Sequence, residues 1–178
     1  LLVVSGSLPP RGSTEKLTAL IQAAQQRGIR CIVDSSGEAL QAALVPGNLE
    51  LVKPNQKELS ALVNRDLTQP DDVRTAAQEL VRSGKARCVV VSLGPQAALA
   101  VDETSSVQVV PPPMKSQSTV GAGDSMVGAM TLKLAQGASL LEMTRYGVAA
   151  GSAATINQGT RLCSLADTQK IVDYLSRN

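Results

Sequence analysis

"IRCIVDSSGEALQAALVPGNLELVKPN", residues 29–55, holds three patterns in succession. Residues 29–37 are a short apolar run that stops at Asp-Ser-Ser-Gly, as a strand does when the chain turns away from a sheet. Residues 38–47 have helical spacing and end at Pro46 and Gly47. Residues 49–55 are apolar again, until Pro54 breaks the run. Strand, short helix, strand is the unit that joins two parallel strands by a crossover.

The same alternation extends in both directions. "LLVVSG", residues 1–6, reads as a strand buried on both faces. "STEKLTALIQAAQQRG", residues 13–28, places Leu17, Leu20, Ile21 and Ala24 on one helical face and ends at Gly28. Residues 56–64 and 70–85 are helical, and Pro70 suits a first turn. "RCVVVSLG", residues 87–94, is the fourth strand. Residues 97–103 and 106–113 flank a short turn and predict a hairpin. Three helices follow: from about 122 to Leu134, over the small-residue stretch 139–157, and over 166–177. The expectation is an α/β layered fold with a mostly parallel sheet, flanked by helices, and a late β-hairpin. A length of 178 residues, without repeat or linker, predicts a single domain over 1–178. The chain opens on a strand and lacks an initiator Met, so it is expected to be part of a longer protein.

Composition narrows the function. Hydrophobic residues at 43% and charged residues at 18% suit a packed core. A net charge of +2 without a basic block argues against a nucleic-acid surface. No apolar run approaches the ~18 residues a membrane span needs, so no membrane partner is expected. Cys31, Cys88 and Cys163 lie far apart in apolar surroundings, which predicts buried, reduced thiols and a cytoplasmic protein. The absence of His excludes a Ser-His-Asp triad and His-ligated metals. Acid–base work falls to Asp, Glu, Lys, Cys or Tyr.

Ligands of such sheets bind beyond the carboxyl ends of the strands. The segments in that position are Ser5–Pro10, Asp34–Gly37, Lys53–Glu58, Ser92–Gln96 and Ser118–Asp124. "GAGD", residues 121–124, exposes backbone N–H groups where a helix begins, and such groups attract an anion. Asp124 beside that hole suits a base that takes a proton from an attacking hydroxyl. The plainer alternative is a flexible turn with an acid that favours a helix N-terminus. Asn55 and Glu58 are spaced either as a capping box or as groups near magnesium and phosphate, with Lys53 adding a point charge. Asn157 and Gly159 read as a helix C-cap.

"STVGAGDS" together with "KPNQKE" resembles the phosphofructokinase B family of carbohydrate kinases, which share the ribokinase fold. The similarity extends over essentially the whole chain and corresponds to the C-terminal part, rather more than half, of the family's 6-phosphofructokinases. It implies ATP-dependent phosphoryl transfer to C1 of fructose 6-phosphate, with 1-phosphofructokinase or tagatose-6-phosphate kinase activity as the nearest alternatives. A nucleotide-binding module without turnover is the alternative outside the enzymes.

The resemblance implies that Asp124 is the base and that Gly121, Ala122 and Gly123 form the anion hole. It places Asn55 and Glu58 at magnesium and phosphates. Lys53, Pro54, Asn55, the run Ser92, Leu93, Gly94, Pro95, Gln96, Ala97, and Ser116, Val148 and Ser152 match ATP-lining positions. Ser7 matches a sugar contact. Ser118, Val120, Ala154, Asn157, Gly159 and Arg161 match the ligands of a monovalent cation, K+, held largely by backbone carbonyls. The family's first part supplies the initial strands, a β-sheet lid, most sugar contacts and a homodimer contact, none of which this chain carries. Arg11 stands where the family pattern has glycine and is expected to alter the turn near the sugar. Leu165 stands where a polar His is expected and is read as neutral.

Overall fold

Short apolar runs become strands, and the stretches between them become helices. The computed structural model describes residues 1–9 and 11–177. In chain order the elements are β1 (Leu2–Ser5), α1 (Thr14–Gln26), β2 (Cys31–Asp34), α2 (Gly37–Ala43), β3 (Leu51–Val52), α3 (Gln56–Val63), α4 (Pro70–Arg82), β4 (Val89–Ser92), β5 (Ala98–Val101), β6 (Ser106–Val109), α5 (Ala122–Ala135), α6 (Leu140–Thr155) and α7 (Leu165–Arg177).

The strands form one mixed sheet in the order β1-β2-β3-β4-β5-β6. The first four run parallel, with Val3 opposite Ile32, Val33 opposite Val52, and Val52 opposite Val89. Parallel neighbours bring their carboxyl ends to one edge, which is where the segments after β1, β2, β3 and β4 emerge. The turn between β5 and β6 is closed by Asp102. Its Oδ1 accepts from the N–H of Thr104 at 2.9 Å and of Ser105 at 2.7 Å.

Two compact units divide the chain. The first comprises Leu1–Leu93 and Leu99–Ser106, the second Gly94–Ala98 and Val107–Asn178. In the first, Ile21, Leu40, Leu49 and Leu59 are fully buried with the strand residues Val33, Val52 and Val89. Each large side chain so placed contributes about 1.5–3 kcal/mol. Helix α1 turns Leu17, Ile21 and Ala24 toward that core, and its N-cap Ser13 accepts from the Lys16 N–H. It ends at Gly28, whose φ of 71° suits glycine.

In the second unit, α6 lies close against α5. A Cβ on Gly147 would lie 2.6 Å from Met130 Cγ, so a larger residue there would force the helices apart. Lys133 on α5 stands over the Tyr146 ring of α6 at 3.8 Å and pairs with Glu142 at 2.9 Å. The Tyr146 hydroxyl reaches Gln169 of α7 at 3.1 Å.

Two expectations need correction. The strand expected to be buried on both faces, β1, alternates instead between half-buried and exposed residues, and Val3 is 40% exposed. Within this chain its neighbour in the sheet is β2. Cys31 and Cys88 are buried, but Cys163 is only half-buried. It belongs to an irregular segment before α7 rather than to a core element. Burial, with Asp102 and Glu50 nearby, pushes the Cys88 thiol up to about 12. The cap residue of α6 is Ile156, in right-handed conformation, and Asn157 closes the helix one position later, with its N–H on Ala154 O at 3.1 Å and its Nδ2 on Ala153 O at 3.2 Å. Arg11 adopts the left-handed φ of 67° that glycine takes readily. In the segment Ser5–Pro10, Pro10 lies outside the described residues.

Candidate active site

The expected site residues fall into two groups, one in each unit. In the first unit they occupy the carboxyl edge of the parallel strands. Lys53 follows β3 and is 6% exposed. Its Nζ lies 2.9 Å from Asp34 Oδ1 at the end of β2. A buried ammonium needs such a partner, and Asp34 supplies it. The Lys53 N–H donates to Val33 O at 3.0 Å and fixes the register of the pair.

The next residues join neighbouring segments. Ser92 N–H donates to Pro54 O at 3.0 Å, and Asn55 bridges Ser92 in parallel, so the segments after β3 and β4 run side by side. Asn55 and Glu58 form a complete capping box at the start of α3. Glu58 N–H donates to Asn55 Oδ1 at 2.9 Å, and Asn55 N–H donates to Glu58 Oε2 at 2.8 Å. The structural meaning of their spacing is therefore realised. Glu58 Oε1 has no part in the box.

Ser7 is exposed just beyond Gly6. Gly6 is tied to β2 through its N–H to Asp34 O at 2.9 Å, and its carbonyl accepts from the buried Ser35 hydroxyl at 2.7 Å. Leu93 packs partly buried against the first unit's core.

The second unit holds the other group. Gly121 caps α5 with φ 77° and has no side chain to offer the first-turn N–H groups. Gly123 and Asp124 are exposed in that first turn. Ala122 is half-buried, and its carbonyl lies 3.2 Å from the place a Cβ on Gly151 would take. Ser118 Oγ accepts from Val120 N–H at 3.2 Å.

The N–H groups of Gln117 and Ser118 both donate to Thr155 O, at 2.8 and 3.2 Å, which ties the segment before the glycines to the end of α6. Ser116 is exposed there. Ser152 is half-buried on α6, whereas Val148 and Ala154 are buried, at 6% and 1% exposure. Asn157 follows α6, and its Nδ2 donates to Ala153 O at 3.2 Å and to Leu162 O at 2.9 Å. Gly159 has φ 64°, and Arg161 is exposed beyond it. Gly94 (φ 62°), Pro95 and Gln96 are exposed, while Ala97 is buried.

Sequence reading missed several contributors. Asp34 was within a marked segment, but its pairing with Lys53 depends on strand register. Gly151 and Leu162 carry no pattern of their own and are brought to the Gly121 turn by packing, whereas Ser125 lies one helical turn along α5 with its N–H on Gly121 O at 2.9 Å.

Residues 1–167 match the family model described as pfkB family carbohydrate kinase. The chain belongs to that family. Its similarity to the ATP-dependent 6-phosphofructokinase isozyme 2 of Escherichia coli (strain K12) is 78% identity over 99% of this chain and 57% of the relative. This pfkB-family chain thus spans little more than half the length of that curated relative. The crystal structure of phosphofructokinase-2 from E. coli in complex with potassium superposes with a TM-score of 0.96 at 79% identity, over 99% of this chain and 57% of that one. Ribokinase from Arabidopsis thaliana, with ribose and ATP, superposes at 0.78 with 21% identity, over 96% and 55%. At that identity the likeness speaks for the fold, which is ribokinase-like. Among the described residues, no group of three or more acidic, Cys or His side chains gathers as a metal cage, and no helix is long and apolar enough to cross a membrane.

Proposed function

We propose that this chain is the nucleotide-binding and catalytic part of an ATP-dependent 6-phosphofructokinase, which phosphorylates fructose 6-phosphate to fructose 1,6-bisphosphate. The observation that carries the proposal is the first turn of α5. Its cap, Gly121, has φ 77° and no capping side chain, and Asp124 is exposed within it. Backbone N–H groups there are oriented to receive the oxygens of a transferring phosphoryl. The Asp124 carboxylate takes the proton of the C1 hydroxyl as that oxygen attacks phosphorus.

Asn55 and Glu58 fit a magnesium role of limited scope. One carboxylate with an oxygen outside its capping box suits Mg2+, which keeps several waters and takes few protein ligands. When bound, the ion neutralises charge on the nucleotide's phosphates. The segment Ser118–Val120 and the turn Ala154–Arg161 fit a K+ site built of carbonyls, since Ser118 N–H already bonds to Thr155 O. Ser116, Val148, Ser152 and the run Ser92–Ala97, with Lys53 and Pro54, are assigned to ATP, and Ser7 to the sugar.

The chain reads as one incomplete domain of a cytoplasmic homodimer whose preceding part holds the sugar, the lid and the dimer contact. Alone it turns over little, because positioning supplies most of the rate in phosphoryl transfer.

The test is ATP-dependent phosphorylation of fructose 6-phosphate by the full-length protein, with magnesium and potassium, beside Asp124→Asn. The substitution is expected to lower kcat by about 10²–10⁴-fold while ATP binding persists. Near-normal turnover in Asp124→Asn would remove the base. Activity confined to fructose 1-phosphate or tagatose 6-phosphate would move the substrate.

A further inference from the structure

We infer that Leu162 is a positioning residue for the Gly121 turn; the inference rests on the reading that this turn receives the transferred phosphoryl. A Cβ built on Gly121 would lie 2.6 Å from Leu162 Cδ2, so the leucine methyl fills the space that the glycine leaves open. The Ala122 carbonyl abuts Gly151 of α6. The turn thus meets a leucine side chain at Gly121 and, one residue on, a second glycine.

Leu162 is itself held through the peptide that follows it, whose carbonyl and N–H are both bonded. Its carbonyl accepts from Asn157 Nδ2 at 2.9 Å, and that amide also reaches Ala153 O in the last turn of α6 at 3.2 Å. The next residue, Cys163, donates its N–H to Ser125 Oγ at 3.4 Å, a buried hydroxyl in the first turns of α5. The same segment that closes over Gly121 is therefore pinned to the helix that Gly121 starts.

Leu162 is 52% exposed. Half its surface is in water, and the end of its side chain lies over Gly121. What it removes is freedom at Gly121, since glycine visits both signs of φ readily. Donors aimed at developing charge work only when their direction is fixed before the reaction. Leu162 fixes it from outside the turn without touching a phosphate.

The test uses full-length protein, with the unmodified enzyme, Leu162→Ala, Leu162→Met and Leu162→Val assayed on ATP and fructose 6-phosphate and melted in parallel. Leu162→Ala is expected to lower kcat roughly tenfold, as a displaced reactive geometry does, with both KM values little changed. Leu162→Met should restore most of the rate, and Leu162→Val should fall between. A kcat that stays at the unmodified value in Leu162→Ala overturns the inference. So does a rise in KM with kcat intact, or a loss of rate that only follows the fraction unfolded. If Leu162→Ala does not fold, the comparison of Leu162→Val with Leu162→Met decides on the same criteria. An unmodified enzyme inactive on fructose 6-phosphate would instead remove the kinase reading beneath it, which the parallel assay distinguishes.

Discussion

Arg11 has a backbone conformation that its side chain disfavours. With φ 67° it lies in the left-handed region, which costs an L-residue roughly 1–2 kcal/mol and glycine almost nothing. Glycine loses about 0.5–1 kcal/mol of that advantage through its freer unfolded chain. Arg11→Gly is therefore expected to raise stability by roughly 0.5–1 kcal/mol, read as a higher midpoint in denaturant, and an unchanged or lower midpoint would contradict the strain argument. The departure from the family pattern was legible in the sequence, but its consequence was not. That the arginine holds a left-handed φ is visible only in the structure. Asn55 and Glu58 show the opposite case. Their spacing announced the capping box, and both of its hydrogen bonds form, because the interaction is local. Lys53 and Asp34 are nineteen positions apart, and only the parallel register of β2 and β3 reveals that they pair.

At the scale of elements, the turn between β5 and β6 depends on one carboxylate. Burial pushes the Asp102 carboxyl upward, but the N–H groups and hydroxyls of Thr104 and Ser105 outweigh it and hold the group below its ordinary 3.8. A carboxyl lowered in the folded chain contributes stability above its unfolded value, and this contribution is lost as pH falls through the folded value. Asp102→Ala should cost about 1–2 kcal/mol near pH 7. The gap between the two proteins should close as pH drops below about 3.8; a gap that persists in acid would mean the turn does not rely on the ionised form. The order of strands and helices was readable because apolar runs and helical spacing are local signals. Helix α6 could be read as rich in small residues, but only the approach of Met130 to Gly147 shows what the small residues admit.

At the scale of the whole molecule, the two units differ in what light can report. The chain has two tyrosines and no tryptophan or phenylalanine. Both Tyr146 and Tyr174 belong to the second unit, so the first is dark in the near ultraviolet. Tyr146 is held beneath the Lys133 ammonium and bonded to Gln169, which couples its surroundings to α5, α6 and α7 together. Intrinsic emission should accordingly track the docking of those three helices alone, while far-ultraviolet circular dichroism follows helices in both units. Heated through unfolding, the chain should give coincident curves from the two signals if the units melt together. Displaced curves would mean that they melt apart, with the dark unit's transition visible only by dichroism. A spectroscopic label comes built into one half of the chain, and its silence about the other half is itself a means of telling the two apart.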